Sequence, residues 1–305
     1  MHKNPAVRPP ARLVLLALLA GAASFGVLHF ADARASAVRQ PSDALVQPMA
    51  LNITEQALVR SRAGAVARAV GISGDSGSPT RKFLALDHVV VDEVAVKQLD
   101  GTVQAVLRFD ADRGLLRSLV RIGWSRDDDR PRIDARSAPA SAVDFSAALG
   151  LTPPAAAPEA QWDASMRAWR VAWPRNVEGI AAPGEGLTTW VYPGGRLAAV
   201  RRIETPAAAA PLTRISAERA QAAARAWAEQ TGIPDAMLSL AGPPALAWAP
   251  PNDFTSNGGA DVTEARLYLS YLVPFTLKAA NGDIRFMTIL VDAGSGAVIG
   301  GAESA

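Results

Sequence analysis

Over 305 residues the chain is 49% hydrophobic and 20% charged, a globular balance that excludes intrinsic disorder and leaves room for two or three cores. The absence of cysteine excludes disulfides, a thiol nucleophile and thiolate metal sites. Of the 31 basic and 29 acidic residues, five and one fall in residues 1–40, so 26 and 28 remain beyond them, and that slight negative excess argues against nucleic-acid binding.

After the cations Lys3, Arg8 and Arg12, the stretch Leu13 to Phe30 is apolar except for Ser24 and His29. As a helix it would extend about 27 Å, near the thickness of a bilayer's hydrocarbon core. Small-x-small sites follow at Ala31-Asp32-Ala33, Ala33-Arg34-Ala35 and Ala35-Ser36-Ala37, where a signal peptidase could cut. The length favours an uncleaved anchor with the N-terminus inside and the rest periplasmic or extracytoplasmic; a chain cut after Ala33–Ala37 would instead be secreted. Ala22 after Leu19-Ala20-Gly21 leaves no lipid-bearing cysteine. Residues 1–33 thus read as signal or anchor, with membrane contact through 13–30, and residues 34–50 as a tether.

Within 51–135, a helix is expected from a Thr54 cap to Gly71, followed by strands at 86–97, 101–109 and 115–124. Within 136–206, Pro- and Ala-rich breaks surround a short helix at 141–149, a strand near Trp169–Trp173 and a hairpin turning at Tyr192-Pro193-Gly194-Gly195-Arg196. Within 207–305, Ser216 caps a helix ending at Gly232, an irregular stretch covers 242–259, and strands at 266–278, 285–291 and 297–300 follow, the first two joined by Asn281-Gly282. The turn Asp110-Ala111-Asp112-Arg113-Gly114 matches Asp292-Ala293-Gly294-Ser295-Gly296. In both, the aspartate suits bonding to following N–H groups and the glycine suits positive φ. The expected fold is α+β: two or three modules of a helix followed by an antiparallel meander, behind an N-terminal transmembrane or signal helix.

The helix Ser216 to Gly232, a strand, and then Ile289-Leu290-Val291-Asp292-Ala293-Gly294-Ser295-Gly296-Ala297-Val298-Ile299 resemble a PepSY-type module, most clearly over 212–301. The resemblance implies an envelope protein that binds or restrains other proteins, peptidases among them, and it supplies no catalytic residues. Under this reading residues 51–135 and 207–305 are PepSY-like modules flanking a middle helix–hairpin segment.

Gly74-Asp75-Ser76-Gly77 is the string that surrounds a serine-protease nucleophile, but a serine needs a positioned histidine base. His2 and His29 lie in the leader, and His88 follows the serine beside a strand pattern. A Gly/Ser-rich loop explains the string more simply than a hydrolase using Ser76. Asp127-Asp128-Asp129 and Asp134 alternate with Arg126, Arg130 and Arg132, which suits a solvated turn with ion pairs better than a calcium loop. Trp169, Trp173 and Trp190 are candidate ligand or partner contacts and would serve a cell-wall glycan platform if they shared a surface, although tryptophans in strands more often pack a core. The expectation is therefore a non-catalytic envelope protein acting through a protein partner, with no cofactor or metal.

Overall fold

The computed structural model describes residues 49–84, 89–154, 156–252, 266–278 and 282–304. The leader with its 13–30 segment and cleavage sites, His88 and Asn281 lie outside the described residues. Among those described, no helix is long and apolar enough to cross a membrane.

Among the described residues three helices form: α1 (Ile53–Ala69), α2 (Ala138–Ala148) and α3 (Ala217–Gln230). Helix α1 starts in a reciprocal capping box, with Glu55 N–H donating to Asn52 Oδ1 at 2.9 Å and Asn52 N–H donating to Glu55 Oε2 at 2.9 Å. The cap is thus Asn52 rather than Thr54. Helix α3 is capped by Ser216. Each helix buries residues at four-residue spacing: Val59, Ala63 and Ala67; Ala138, Ala142 and Ser146; Ala220, Ala224 and Ala228. Nearly all are small, so each helix lies close on the sheet beneath it.

The strands outweigh the helices. β1 (Asp75–Ser76), β2 (Thr80–Leu84), β3 (Val89–Lys97), β4 (Val103–Asp110), β5 (Leu116–Arg121), β6 (Glu159–Asp163), β7 (Ala168–Val177), β8 (Ile180–Val191) and β9 (Leu197–Ile203) form one nine-stranded sheet. Its order is β1-β3-β4-β5-β9-β8-β7-β6, with β2 also on β3. β10 (Leu238–Leu240), β11 (Ala245–Ala249), β12 (Tyr268–Lys278), β13 (Ile284–Asp292) and β14 (Val298–Ser304) form a second sheet. Every pairing within both sheets is antiparallel.

This corrects the expected α+β arrangement of helix-plus-meander modules: the described residues form mostly antiparallel β-sheet. The physical reason is the pairing of β5 with β9, Leu119 opposite Val200, which merges the strands of the first and middle segments into one sheet. Helices α1 and α2 share a single core on one face of it, with Val94, Leu107, Leu119, Val200 and Val171 in one row across the strands. The small sheet packs its own core against α3 through Val273, Phe275, Met287 and Ile289.

The two sheets meet where the β7–β8 hairpin reaches β11. Trp248, 1% exposed, packs with Ala182, Leu267, Leu269 and Ala293, and its Nε1 donates to the Val177 carbonyl at 3.0 Å. Buried Glu185 accepts from Thr205 N–H at 2.7 Å and from its hydroxyl at 2.9 Å, tying the linker to the hairpin. On the outer edge of β14, the Asn252 carboxamide donates to Gly301 O at 2.8 Å and accepts from Gly301 N–H at 2.9 Å. Gly300 permits this approach, since a Cβ there would collide with Asn252.

Candidate functional site

No helix among the described residues contributes to the opposite face of the nine-stranded sheet. Period-two alternation places Ala95, Val106, Val120, Ala199, Trp190 and Arg170 in one row there. The next row holds Glu93, Arg108, Ser118, Arg201 and Thr188. Glu93 accepts from both Lys82 at 2.6 Å and Arg108 at 2.8 Å. Burial would raise its carboxyl pKa, but these two cations outweigh that and hold it below the ordinary range.

β5 continues past its last paired residue, with Ile122 N–H bonding Gln104 O at 2.8 Å. Val120, Ile122 and Trp124 are 37%, 44% and 40% exposed. Three large apolar residues at alternate positions, all in solvent, depart from the burial pattern of the neighbouring strands. The Arg167 guanidinium lies 4.1 Å from the Trp124 ring centroid, a cation–π contact. Arg167 is held there by pairing with Asp129 and by the β6–β7 turn, where Asp163 Oδ1 accepts from Ser165 N–H and Met166 N–H, both at 3.0 Å. Asp163 Oδ2 accepts from Trp190 Nε1 at 2.9 Å, fixing that indole beside Tyr192, Ala168 and Ala198.

Beneath this patch, the wholly buried Asp128 receives both branches of the Arg196 guanidinium, and the Ser125 N–H at 2.9 Å. Burial acts to raise its pKa, yet Arg196 and the backbone donor prevail and hold it below the ordinary value. Burial raises the Tyr192 hydroxyl, with Asp128 adding to the effect. Burial lowers Arg121, with repulsion from Arg196 contributing. A carboxylate so fully paired is a poor proton acceptor; its work is to clamp the turn that presents Trp124. Asp127, Asp128 and Asp129 pair with Arg130, Arg196 and Arg167, and among the described residues no group of three or more possible ligands is placed to hold a metal.

The three tryptophans singled out from sequence do not share one surface. Trp173, 2% exposed, lies in the core beneath the helices. Trp169 packs against the same core, edge-on to Trp162 at 5.3 Å. Trp190 is on the other face. Asp110 and Gly114 close the β4–β5 turn and Asp292 and Gly296 the β13–β14 turn, with the same Gly N–H to Asp O bond at 2.7 and 2.9 Å. Ser76, on the edge strand β1, pairs with Val96 of β3. Sequence reasoning missed Ile122, Trp124 and Arg167. The alternation of Val120, Ile122 and Trp124 was available as a signal, but nothing local tells which side of that strand lacks a helix.

No family model and no curated protein matches the chain. A solved structure, the C-terminal domain of YpeB from Bacillus megaterium, is similar over 80% of this chain and 96% of that one, at 13% identity and a TM-score of 0.41. That likeness is too remote to carry an argument, and the PepSY-type resemblance rests on the residues that suggested it.

Proposed function

We propose that this is a non-catalytic protein of the bacterial envelope that binds another protein on the helix-free face of its large sheet. The observation that carries the proposal is the exposed run Val120, Ile122 and Trp124, with Trp190 in the same cross-strand row as Val120. Aromatic anchors within an apolar patch are the usual centre of a protein interface. Beside it Lys82 and Arg108 both pair with the single carboxylate of Glu93, so the matching partner segment combines apolar side chains with flanking carboxylates. Action outside the cytoplasm is supported by the cationic flank and apolar run of residues 3–30. The glycan reading loses support because Trp169 and Trp173 face the core.

A photo-crosslinking amino acid at position 122, compared in intact cells with one at the fully exposed Leu99 of the β3–β4 turn, tests this. One protein captured at 122, not at 99, and lost in a Trp124→Asp chain is the expected result. Equal labelling at both positions would remove the proposal.

A further inference from the structure

We propose that the β4–β5 turn, with α1 and β9, forms a binding site for an oxyanion, carboxylate or phosphate, separate from the apolar patch. The five steps of β5 from Leu116 to Arg121 span about 17 Å, and Trp124 lies beyond the far end of that strand. The Asp110 carboxylate, 2% exposed, is approached by Arg113 Nη2 at 2.8 Å, Arg117 Nη1 at 3.5 Å and Arg202 Nη2 at 3.5 Å. Glu204 lies at the limit of ion pairing, 3.9 Å from Arg113 and 4.0 Å from Arg202. A fourth cation comes from α1, where the half-buried Arg62 guanidinium lies so close to Gly114 that a Cβ there would collide with it. Arg62 has no acidic partner among the described residues. Among the described residues, Arg113 and Arg202 thus lie between Asp110 and Glu204, with Arg62 against the same turn.

One donor at this turn lacks an acceptor. Arg202 Nη2 is buried and forms no hydrogen bond, its approach to Asp110 being an ion pair without bonding geometry. Buried donors are almost always satisfied, and a planar guanidinium is best satisfied by two oxygens of one anion. Arg113 and Glu204 are each 43% exposed, which leaves the cluster open to solvent on that side. Oxygens of an anion entering there would supply Arg202 with its acceptor and Arg62 with its countercharge.

Calorimetric titration of the whole protein with inorganic phosphate, and separately with succinate, at fixed ionic strength in chloride tests the site. Saturable binding of one anion per chain is expected, and the better of the two identifies whether phosphate or carboxylate is recognised. Arg113→Gln, at a partly exposed position that leaves Asp110 two other cations, should weaken binding roughly ten-fold or more. Arg285→Gln, in the small sheet and paired with Glu303 at 3.0 Å, should leave it unchanged. No saturable heat with either anion, or binding that Arg113→Gln does not weaken, overturns the proposal; the crosslinking outcome at position 122 has no bearing on it.

Discussion

Asp128 shows how a charged side chain can be structural. Its depressed pKa means that its ionised form is favoured by folding, so the stability it contributes is complete above the unfolded value near 4 and is lost as pH falls through the lower folded value. Urea unfolding of the native chain and of Asp128→Asn should differ by about 3 kcal/mol at pH 7, the cost of breaking a buried pair. The difference should shrink steadily below about pH 4; a gap independent of pH would mean that packing, not charge, holds the turn. Gly114 offers a second test. Gly101 and Gly114 both have positive φ, 85° and 64°, but only Gly114 has the Arg62 guanidinium where a Cβ would go. Gly101→Ala should cost about 1 kcal/mol and Gly114→Ala clearly more, so equal losses in thermal unfolding would show that Arg62 yields freely. Sequence alone identified both Asp110 and Asp292 as turn residues but not their different work. Asp292 Oδ1 accepts from the N–H groups of Gly294 at 3.1 Å and Ser295 at 2.7 Å, which the local sequence suggests. Asp110 instead meets Arg202, a residue on β9 that no local pattern links to it.

At the scale of elements, what could be read was what is local. The C-terminal end of α1, both ends of α3, the β3–β4 and β8–β9 turns and most of the long strands follow from caps, glycines and alternation. α2 begins at Ala138 rather than at residue 141 because Pro139 fits the first turn of a helix, where its missing N–H costs nothing. β6, β10 and β11 went unread because prolines around them resemble linkers, and because short strands gain their stability from a partner, here β7 or β12, that the local sequence does not reveal. The β14 edge makes a prediction of its own. Asn252→Ala would leave the outward N–H and carbonyl of Gly301 unmatched, costing about 1–3 kcal/mol and opening a strand edge to other chains. Faster amide exchange at Gly301 and concentration-dependent association are expected, whereas unchanged exchange would show that Asn252 does not guard the edge.

For the whole molecule, the decisive contacts are the least legible, because they join residues far apart in the chain. Trp248 and Val177 are 71 positions apart, and their contact brings the small sheet against the large one. Trp248→Ala should cost about 3–5 kcal/mol and expose the 204–211 linker to limited proteolysis while each sheet keeps the helices packed on it. A single sharp unfolding transition at lower temperature, with the linker still resistant, would show that the sheets do not depend on this indole for their docking.

The join between β5 and β9 has a mechanical consequence. Only three residue pairs bridge it, Ser118 with Arg201, Leu119 with Val200 and Val120 with Ala199, whereas β7 and β8 share nine. Under a load applied across the strands the sheet would tear along this seam, each half leaving with its own helix and the shared core splitting between them. A molecule held at one end and bound at the other would thus carry a built-in fuse near its middle.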